Sequence, residues 1–186
     1  MKGIEILKQY QTGVKDFSGI DLVREQLCDL DLSQADFSQA VLTETDFSRS
    51  NLTEACFYLA LLNLSNLTEA ILTTANLKSA NLQSALLYKA SCGRAQLQKV
   101  NLSQAILKRA FLREANLSQA KLVAADLSQA NLIDADLSGA DLSQANLDKT
   151  FLLGANLAGA NLTRVDLNRA ILTGAIMPDG QIYDGK

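Results

Sequence analysis

The sequence predicts an all-β protein that winds into a solenoid, and a five-residue repeat is the main reason. Of the 32 positions from Phe17 to Leu172 whose numbers end in 2 or 7, 27 are Leu and four are Phe. Two residues before each of these positions, the corresponding series contains 22 Ala. The chain has 186 residues, of which 48% are hydrophobic, and one proline, so it suits a single folded domain rather than a disordered chain.

A period of five is incompatible with an α-helix or a continuous β-strand. On a helix, a step of five residues advances by about 140°, so the Leu series would spiral around every side. In a strand, an odd step places successive Leu side chains on opposite faces. The Leu and the Ala before it can both be buried only if the polar residues between pairs turn the chain. A chain that turns the same way every five residues forms a coil that pairs with the coils above and below.

Asp or Asn stands immediately before the Leu or Phe in 19 of the 32 repeats. Because these side chains recur at one register along the whole chain, we interpret them as parts of the turns and ladders rather than as paired catalytic carboxylates.

The aromatic residues indicate the length of one coil. Phe17, Phe37 and Phe57 stand 20 residues apart, so a 20-residue coil stacks their three rings in one column at the N-terminal end. The remaining inward positions are almost all Leu beside Ala, large beside small, which lets identical layers repeat without voids.

A solenoid needs covered ends, because an open coil is an edge available for aggregation. At the N-terminus the sequence predicts a short helix over residues 3–12, with Ile4, Leu7 and Tyr10 on one side and Gly13 as its stop. This helix is expected to lie over the first coil.

The C-terminal end is expected to fold back. The repeat continues to Met177, and the Pro178–Gly180 segment predicts a turn, after which Ile182 and Tyr183 return over the last coil. The predicted organisation is a capping helix in residues 1–14, the β-solenoid in residues 15–174 and a cap or tail in residues 175–186.

The A(D/N)Lxx register resembles the pentapeptide repeat family, and the resemblance covers residues 15–174. It implies a right-handed quadrilateral β-helix; with four repeats per coil, the 32 repeats make about eight coils, roughly 38 Å long at the spacing of β-strands. The opening ILKQYQTGVKDFSG and the ending GAIMPDGQIYDG are similar to those of cyanobacterial members. The number of sides and the handedness are what the family resemblance implies, and periodicity alone does not supply them.

Several chemistries are excluded or disfavoured by composition. The chain has no histidine, so it has no Ser-His-Asp triad and no histidine metal ligand, and its three cysteines show no CxxC spacing. We predict no enzyme activity, no cofactor and no metal. Cys92 is expected to point inward, Cys28 and Cys56 outward, and all three to be reduced thiols. The longest apolar run, residues 56–62, is too short to span a bilayer, so we expect a cytoplasmic protein without a membrane partner.

Charge is distributed unevenly along the chain. The net charge is −5 over residues 1–60, +6 over residues 61–125 and −4 over residues 126–186. The basic middle predicts a possible anion or acidic-partner site, which we call the basic belt: Lys89, Arg94, Lys108, Arg109 and Arg113. The alternative is an ordinary solvated surface. A nucleic-acid partner is disfavoured because no aromatic residues are interleaved with these cations.

One cluster of apolar residues is predicted to face solvent. We call it the apolar patch, and it consists of Val41, Tyr58, Leu59, Leu61 and Leu64. Such a patch is typical of a protein-binding surface. The alternative is that the position before the central Leu simply tolerates apolar residues, as a further set of six suggests: Ile71, Leu86, Ile106, Phe111, Phe151 and Ile171.

Three functions are compatible with the sequence. The first is a rigid protein-interaction module, a monomer or weak dimer, with the regulatory role that the resemblance to cyanobacterial members implies. The second is a DNA mimic that binds DNA gyrase or topoisomerase, as some family members do, although a net charge of only −3 and the basic middle depart from that pattern. The third is a structural or assembly protein.

Overall fold

The computed structural model describes residues 2–184. It contains one α-helix, α1, which spans Lys2–Gln11. From Asp16 onward the chain forms no extended strand within the described residues; it forms single-residue β-bridges at almost every fifth position instead. The parallel bridges all join corresponding positions four repeats apart, from Asp16–Asp36 at one end to Asn156–Ile176 at the other. One coil therefore contains four repeats.

Each repeat has five positions with separate roles. The bridge position (numbers ending in 1 or 6) pairs with neighbouring coils, and the central position (2 or 7) points inward. Two turn positions follow (3 or 8, then 4 or 9), and the Ala position (0 or 5) closes the turn. The second turn residue has a positive φ throughout the regular part of the coil, for example 58° at Gln39. This left-handed backbone redirects the chain once in every repeat.

Backbone hydrogen bonds engage four of the five N–H groups in a typical repeat. The bridge residue donates to the preceding coil, the central and second turn residues donate to the next coil, and the Ala-position residue donates within its own turn. In residues 36–40 these bonds are Asp36 N to Lys15 O (2.7 Å), Phe37 N to Cys56 O (2.7 Å), Gln39 N to Tyr58 O (2.8 Å) and Ala40 N to Phe37 O (3.1 Å).

The fifth N–H, that of the first turn residue, explains the recurrent Asp and Asn. In residues 36–40, the Asp36 carboxylate accepts a hydrogen bond from Ser38 N at 2.8 Å. Every one of the 19 Asp and Asn residues at the bridge position accepts the same bond from the residue two places ahead. These bonds confirm the predicted structural role of the Asp and Asn side chains. Each one satisfies a backbone N–H that would otherwise depend on water.

The core is a continuous column of central-position and Ala-position side chains. The central Leu side chains from Leu22 to Leu157 have at most 1% of their surface exposed. At the N-terminal end Phe17, Phe37 and Phe57 stack as predicted, with ring centroids 5.5 and 5.4 Å apart. Phe47 meets this column edge-on at 5.9 and 6.0 Å from Phe37 and Phe57. The aromatic column therefore strengthens the coils nearest α1.

Helix α1 covers the first coil, but with a different face from the predicted one. Ile6 is 2% exposed and belongs to the core, whereas Ile4 is 64% exposed and points to solvent. Gly3 determines this orientation, since a Cβ there would lie only 2.8 Å from the carbonyl oxygen of Gln26. The predicted contact of Tyr10 is correct: its hydroxyl donates to the carbonyl oxygen of Ser33 at 2.8 Å. Gly13, with φ of 95°, ends the helix as expected.

The C-terminal residues fold back as an antiparallel hairpin. Gly180 N donates to Met177 O at 2.8 Å to close the predicted turn, and Tyr183 N donates to Ala175 O at 2.8 Å. Tyr183 packs against the core, but Ile182 is exposed, so only one of the two predicted residues covers the end. The reason is that successive side chains of an extended segment point to opposite faces, so the two residues cannot both face the coil.

None of the helical structure in residues 2–184 is long and apolar enough to cross a membrane.

Candidate functional site

The apolar patch lies across two adjoining sides of one coil, with Val41 on the coil before it. Tyr58, Leu59, Leu61 and Leu64 each expose 42–54% of their surface, and Val41 is half-buried below Leu61. Leu61 bridges to both Val41 and Asn81, which fixes it in the ladder of its side. The coil thus presents the predicted residues on one continuous stretch of surface.

Two leucines of this patch occupy an unfavourable backbone conformation. Leu59 and Leu64 are second turn residues, with φ of 58° and 61°. A left-handed conformation costs a residue with a Cβ about 1–2 kcal/mol, but most repeats also have a non-glycine residue at this position, so the cost is general to the fold. The other residues at this position are polar, Gly or Ala. Leu59 and Leu64 are therefore set apart by an exposed, large apolar side chain and not by their backbone.

The basic belt also lies on two adjoining sides, but most of its charge is paired. Its members are held in the following contacts: Lys89 Nζ to Glu69 Oε1 at 3.3 Å, Arg94 Nε to Glu114 Oε2 at 2.7 Å, Arg113 Nε to Glu114 Oε1 at 3.2 Å, Arg113 Nη2 to Asp134 Oδ2 at 3.4 Å, and Arg109 Nε to Gln129 Oε1 at 2.9 Å. Lys108 has no ion pair with the described part of the chain. The count of +6 already includes Glu69 and Glu114, so among these contacts only that of Arg113 with Asp134 lowers the local excess of positive charge below that value.

The pKa of Glu114 reflects its contacts with the cations of the basic belt. The guanidinium of Arg94, which donates a hydrogen bond to Glu114 and attracts it electrostatically, holds the pKa of that carboxyl below its ordinary value. Arg113 acts in the same direction. These groups are exposed, so solvent screens the attraction and the pairs contribute little to stability.

The sequence interpretation treated Phe111 and Phe151 only as tolerated apolar residues and missed their place beside the basic belt. Phe111 stands between Arg109 and Arg113 in the sequence, and its side chain is 54% exposed. With Phe151, two coils further along, it lines a cavity that Arg109 also borders. The expectation that no aromatic residue is interleaved with the cations is therefore wrong. The sequence did contain a signal for this site, because Phe recurs at residues 111 and 151, two coils apart in one bridge column. Bridge positions face solvent, and Asn or Asp would normally be favoured there.

The cysteines occupy two environments. Cys92 takes a central position and is buried, and this burial raises the pKa of its thiol to about 12. Cys28 and Cys56 are half-buried, and all three are free thiols. Within residues 2–184, no group of three or more Cys, Asp or Glu side chains is arranged to hold a metal ion.

The geometry defines a class of protein before any comparison is made: a β-solenoid with a filled interior, whose functional groups are displayed on its outer sides. The family described as pentapeptide repeats matches the chain in 8 copies, over residues 31–68, 55–91, 95–134, 112–147 and 135–174. The chain belongs to the pentapeptide repeat family, and its fold is the right-handed β-helix of that family.

Two solved structures illustrate the range of relatives. HetL, a pentapeptide repeat protein involved in heterocyst differentiation regulation in the cyanobacterium Nostoc sp. strain PCC 7120, is 34% identical, with 96% of this chain and 98% of HetL covered and a TM-score of 0.48. QnrB1, a plasmid-mediated fluoroquinolone resistance protein, is 18% identical in one trypsin-treated form, with 88% and 89% covered and a TM-score of 0.68. The similarity to QnrB1 concerns the fold alone. No curated protein sequence matches the chain.

Proposed function

We propose that this protein is a non-enzymatic interaction module that presents the apolar patch to a partner protein in a regulatory role. The observation that carries the proposal is the cluster of exposed apolar side chains at Leu59, Leu61 and Leu64, two of them at a turn position that is otherwise polar, Gly or Ala. A contiguous exposed apolar surface of this kind is the pattern expected of a binding surface. The regulatory part rests on the 34% identity to HetL, which is itself involved in heterocyst differentiation regulation.

Affinity capture from a lysate of the source organism tests the proposal. The immobilised wild-type protein is compared with the double variant Leu59→Asp, Leu61→Asp. The matched control is Gln119→Asp, Lys121→Asp, which changes the same two columns three coils further along. A partner retained by the wild type and the control but lost by the double variant supports the patch. Equal capture by all three proteins refutes it, provided that circular dichroism shows the same fold.

The DNA-mimic alternative requires a particular distribution of surface charge. A duplex-like surface needs continuous negative charge, whereas residues 61–125 carry a net charge of +6. We therefore expect no inhibition of gyrase supercoiling at micromolar protein. If the protein does inhibit gyrase supercoiling, and a variant with its acidic residues changed to basic ones does not, the DNA-mimic function replaces the interaction proposal.

We propose a monomer or weak dimer in solution, because the termini are covered by α1 and the C-terminal hairpin. The assembly alternative, in which rods pack side to side, predicts oligomers by light scattering that the Leu59→Asp, Leu61→Asp variant dissociates.

We also propose that the β-helix is quadrilateral with about eight coils, capped by residues 1–14 and 175–186. The separation of every parallel bridge by four repeats supports four sides per coil. Small-angle X-ray scattering tests it, since about eight coils predict a rod about 38 Å long before its caps are added.

The cytoplasm is the compartment we propose, since the three cysteines are free thiols, two of them half-buried. Cell fractionation with an antibody to the protein tests this directly.

A further inference from the structure

A slot crosses one side of the β-helix between two exposed phenylalanines. Phe111 and Phe151 occupy bridge positions of the same column, and Asn131 lies between them and bridges to both. A cavity of about 610 Å³ opens at this place, with Ile133 completing the apolar wall. We call these four residues the Phe slot. Its volume falls within the range of roughly 300–1,000 Å³ that small-molecule sites occupy.

The floor of the Phe slot carries an unused hydrogen-bond donor. Asn131 Oδ1 accepts from Ile133 N at 3.1 Å, in the manner of every other Asn at this position. In several other repeats the Asn side-chain amide donates to the coil before, as Asn146 does to Asp126 at 3.0 Å. Asn131 has Phe111 there instead, and its Nδ2 makes no hydrogen bond within residues 2–184. A ligand edge with an acceptor atom would satisfy this group.

One rim of the cavity is positively charged. Lys89, Arg109 and Lys149 line it, together with Gln129. Lys89 is paired with Glu69, but Arg109 donates to the neutral Gln129, and Lys149 has no ion pair with the described part of the chain. Two cations at this rim therefore lack a carboxylate partner, which leaves the site complementary to an anion.

The spacing of the walls suits a flat ring. Two coils separate Phe111 from Phe151, or about 9.6 Å along the axis at the spacing of paired strands. A ring placed above Asn131 would lie about 4.8 Å from the level of each Phe, within the roughly 4.5–7 Å at which aromatic rings attract each other.

We propose that the Phe slot binds a small planar aromatic anion, with its ring between Phe111 and Phe151 and its phosphate or carboxylate at Arg109 and Lys149. Asn131 Nδ2 donates to an acceptor on the edge of the ring. Around the coil, the column of the Phe slot is two repeats away from the column of Leu61, which is half of a four-repeat coil. This site is therefore separate from the apolar patch and does not depend on the proposed function.

Isothermal titration calorimetry with four probes tests the proposal on the full chain. Adenosine 5′-monophosphate and 2-naphthoate supply the anion as phosphate or carboxylate, and adenosine and 2-naphthamide are their neutral analogues. We expect at least one anion to bind at least fivefold more tightly than its neutral analogue. Binding of the phosphate or of the carboxylate alone identifies the source of the charge, and either result supports the site.

Three variants locate the binding. Asn131→Phe fills the slot with a residue that the neighbouring coils already carry, so it is expected to fold and to weaken binding at least tenfold. Arg109→Gln is expected to weaken only the anions. The matched control, Asn101→Phe, makes the same substitution at the bridge position of another side and is expected to bind as the wild type does.

Three results would overturn the proposal. They are no binding of any probe at 1 mM, equal binding by wild type and Asn131→Phe, and equal affinity for anionic and neutral probes. A single-stranded oligonucleotide that binds much more tightly than the mononucleotide would also overturn it, in favour of an extended nucleic-acid surface.

Discussion

Small hydroxyl side chains replace Ala at several inward positions, and their hydrogen bonds differ. Ser50 Oγ donates to Leu27 O and accepts from Leu30 N at 3.2 Å, so it substitutes for the usual bond inside the turn. Ser65 Oγ is buried and has no hydrogen-bond partner. A buried hydroxyl without a partner loses the hydration it had in the unfolded chain and gains nothing in exchange.

We therefore predict opposite effects from the same substitution at these two residues. Ser65→Ala should raise the free energy of unfolding by roughly 1 kcal/mol, because it removes an unsatisfied polar group from a position that Ala normally fills. Ser50→Ala should lower it by about 1–3 kcal/mol, because it leaves the Leu30 N–H unpaired. Urea denaturation of both variants measures the difference. A loss of stability in Ser65→Ala would show that its hydroxyl has a partner after all.

Thiol reactivity provides a second test at the level of single residues. Burial raises the pKa of the Cys92 thiol to about 12, so almost no reactive thiolate forms near neutral pH. We expect a thiol reagent to modify Cys28 and Cys56 in the folded protein and all three cysteines after denaturation. Mass spectrometry of the modified peptides identifies them. Rapid labelling of Cys92 in the native protein would contradict its inward position.

Helix α1 depends on its close approach to the first coil. Gly3 N donates to Glu25 Oε2 at 3.1 Å, and a Cβ on Gly3 would lie 2.8 Å from Gln26 O and 3.3 Å from Leu27 Cδ2. The atom in conflict is a backbone oxygen, which cannot move aside as a flexible side chain can. The packing of Ile6 depends on the same approach.

Gly3→Ala should consequently destabilise the protein, although Ala favours helix by about 1 kcal/mol in an unconstrained helix. We expect a net loss of about 1–3 kcal/mol from the forced displacement of α1. Thermal denaturation measures it, with Gln9→Ala on the exposed side of α1 as a control that should be nearly neutral. An increase in Tm for Gly3→Ala would indicate that α1 does not pack as closely as described.

For the molecule as a whole, the repeated Asp side chains make stability depend on pH. The backbone N–H of Ser143 hydrogen-bonds the Asp141 carboxylate and, with the Ser143 side chain, lowers its pKa; Ser33 does the same for Asp31. A carboxyl whose pKa is lower in the folded than in the unfolded chain stabilises the fold fully above the unfolded pKa, near 4. This contribution is lost as the pH falls through the folded-state pKa.

We expect the free energy of unfolding to be flat between about pH 7 and pH 5 and to fall steadily below about pH 4. Asp141→Asn should leave the value at pH 7 nearly unchanged, because Asn161 accepts the same bond from Thr163 N at 3.1 Å. The same variant should make the acid slope shallower. Denaturant titrations from pH 7 to pH 2.5 test both points, and an unchanged slope would remove Asp141 from the explanation.

The sequence by itself determined the five-residue register, the inward Leu and Ala columns, the stacking of Phe17, Phe37 and Phe57, and the structural role of the Asp and Asn series. These features are local or strictly periodic. A single repeat contains the reason for most of them, because one N–H in five lacks a backbone partner and two side chains in five are apolar, and the Phe stack follows from the 20-residue spacing of its members. The inward position of Cys92 followed in the same way.

The tertiary structure decided what depends on contacts between coils. Whether Ile4 or Ile6 of α1 faces the core depends on the close approach at Gly3, which no helical periodicity encodes. The pairing of the basic belt with Glu69, Glu114 and Asp134 joins residues from different coils. The 20-residue coil already places Phe111, Asn131 and Phe151 in one column, but the cavity between them depends on how far the two Phe side chains project from the surface. The spacing of residues along the chain does not show that.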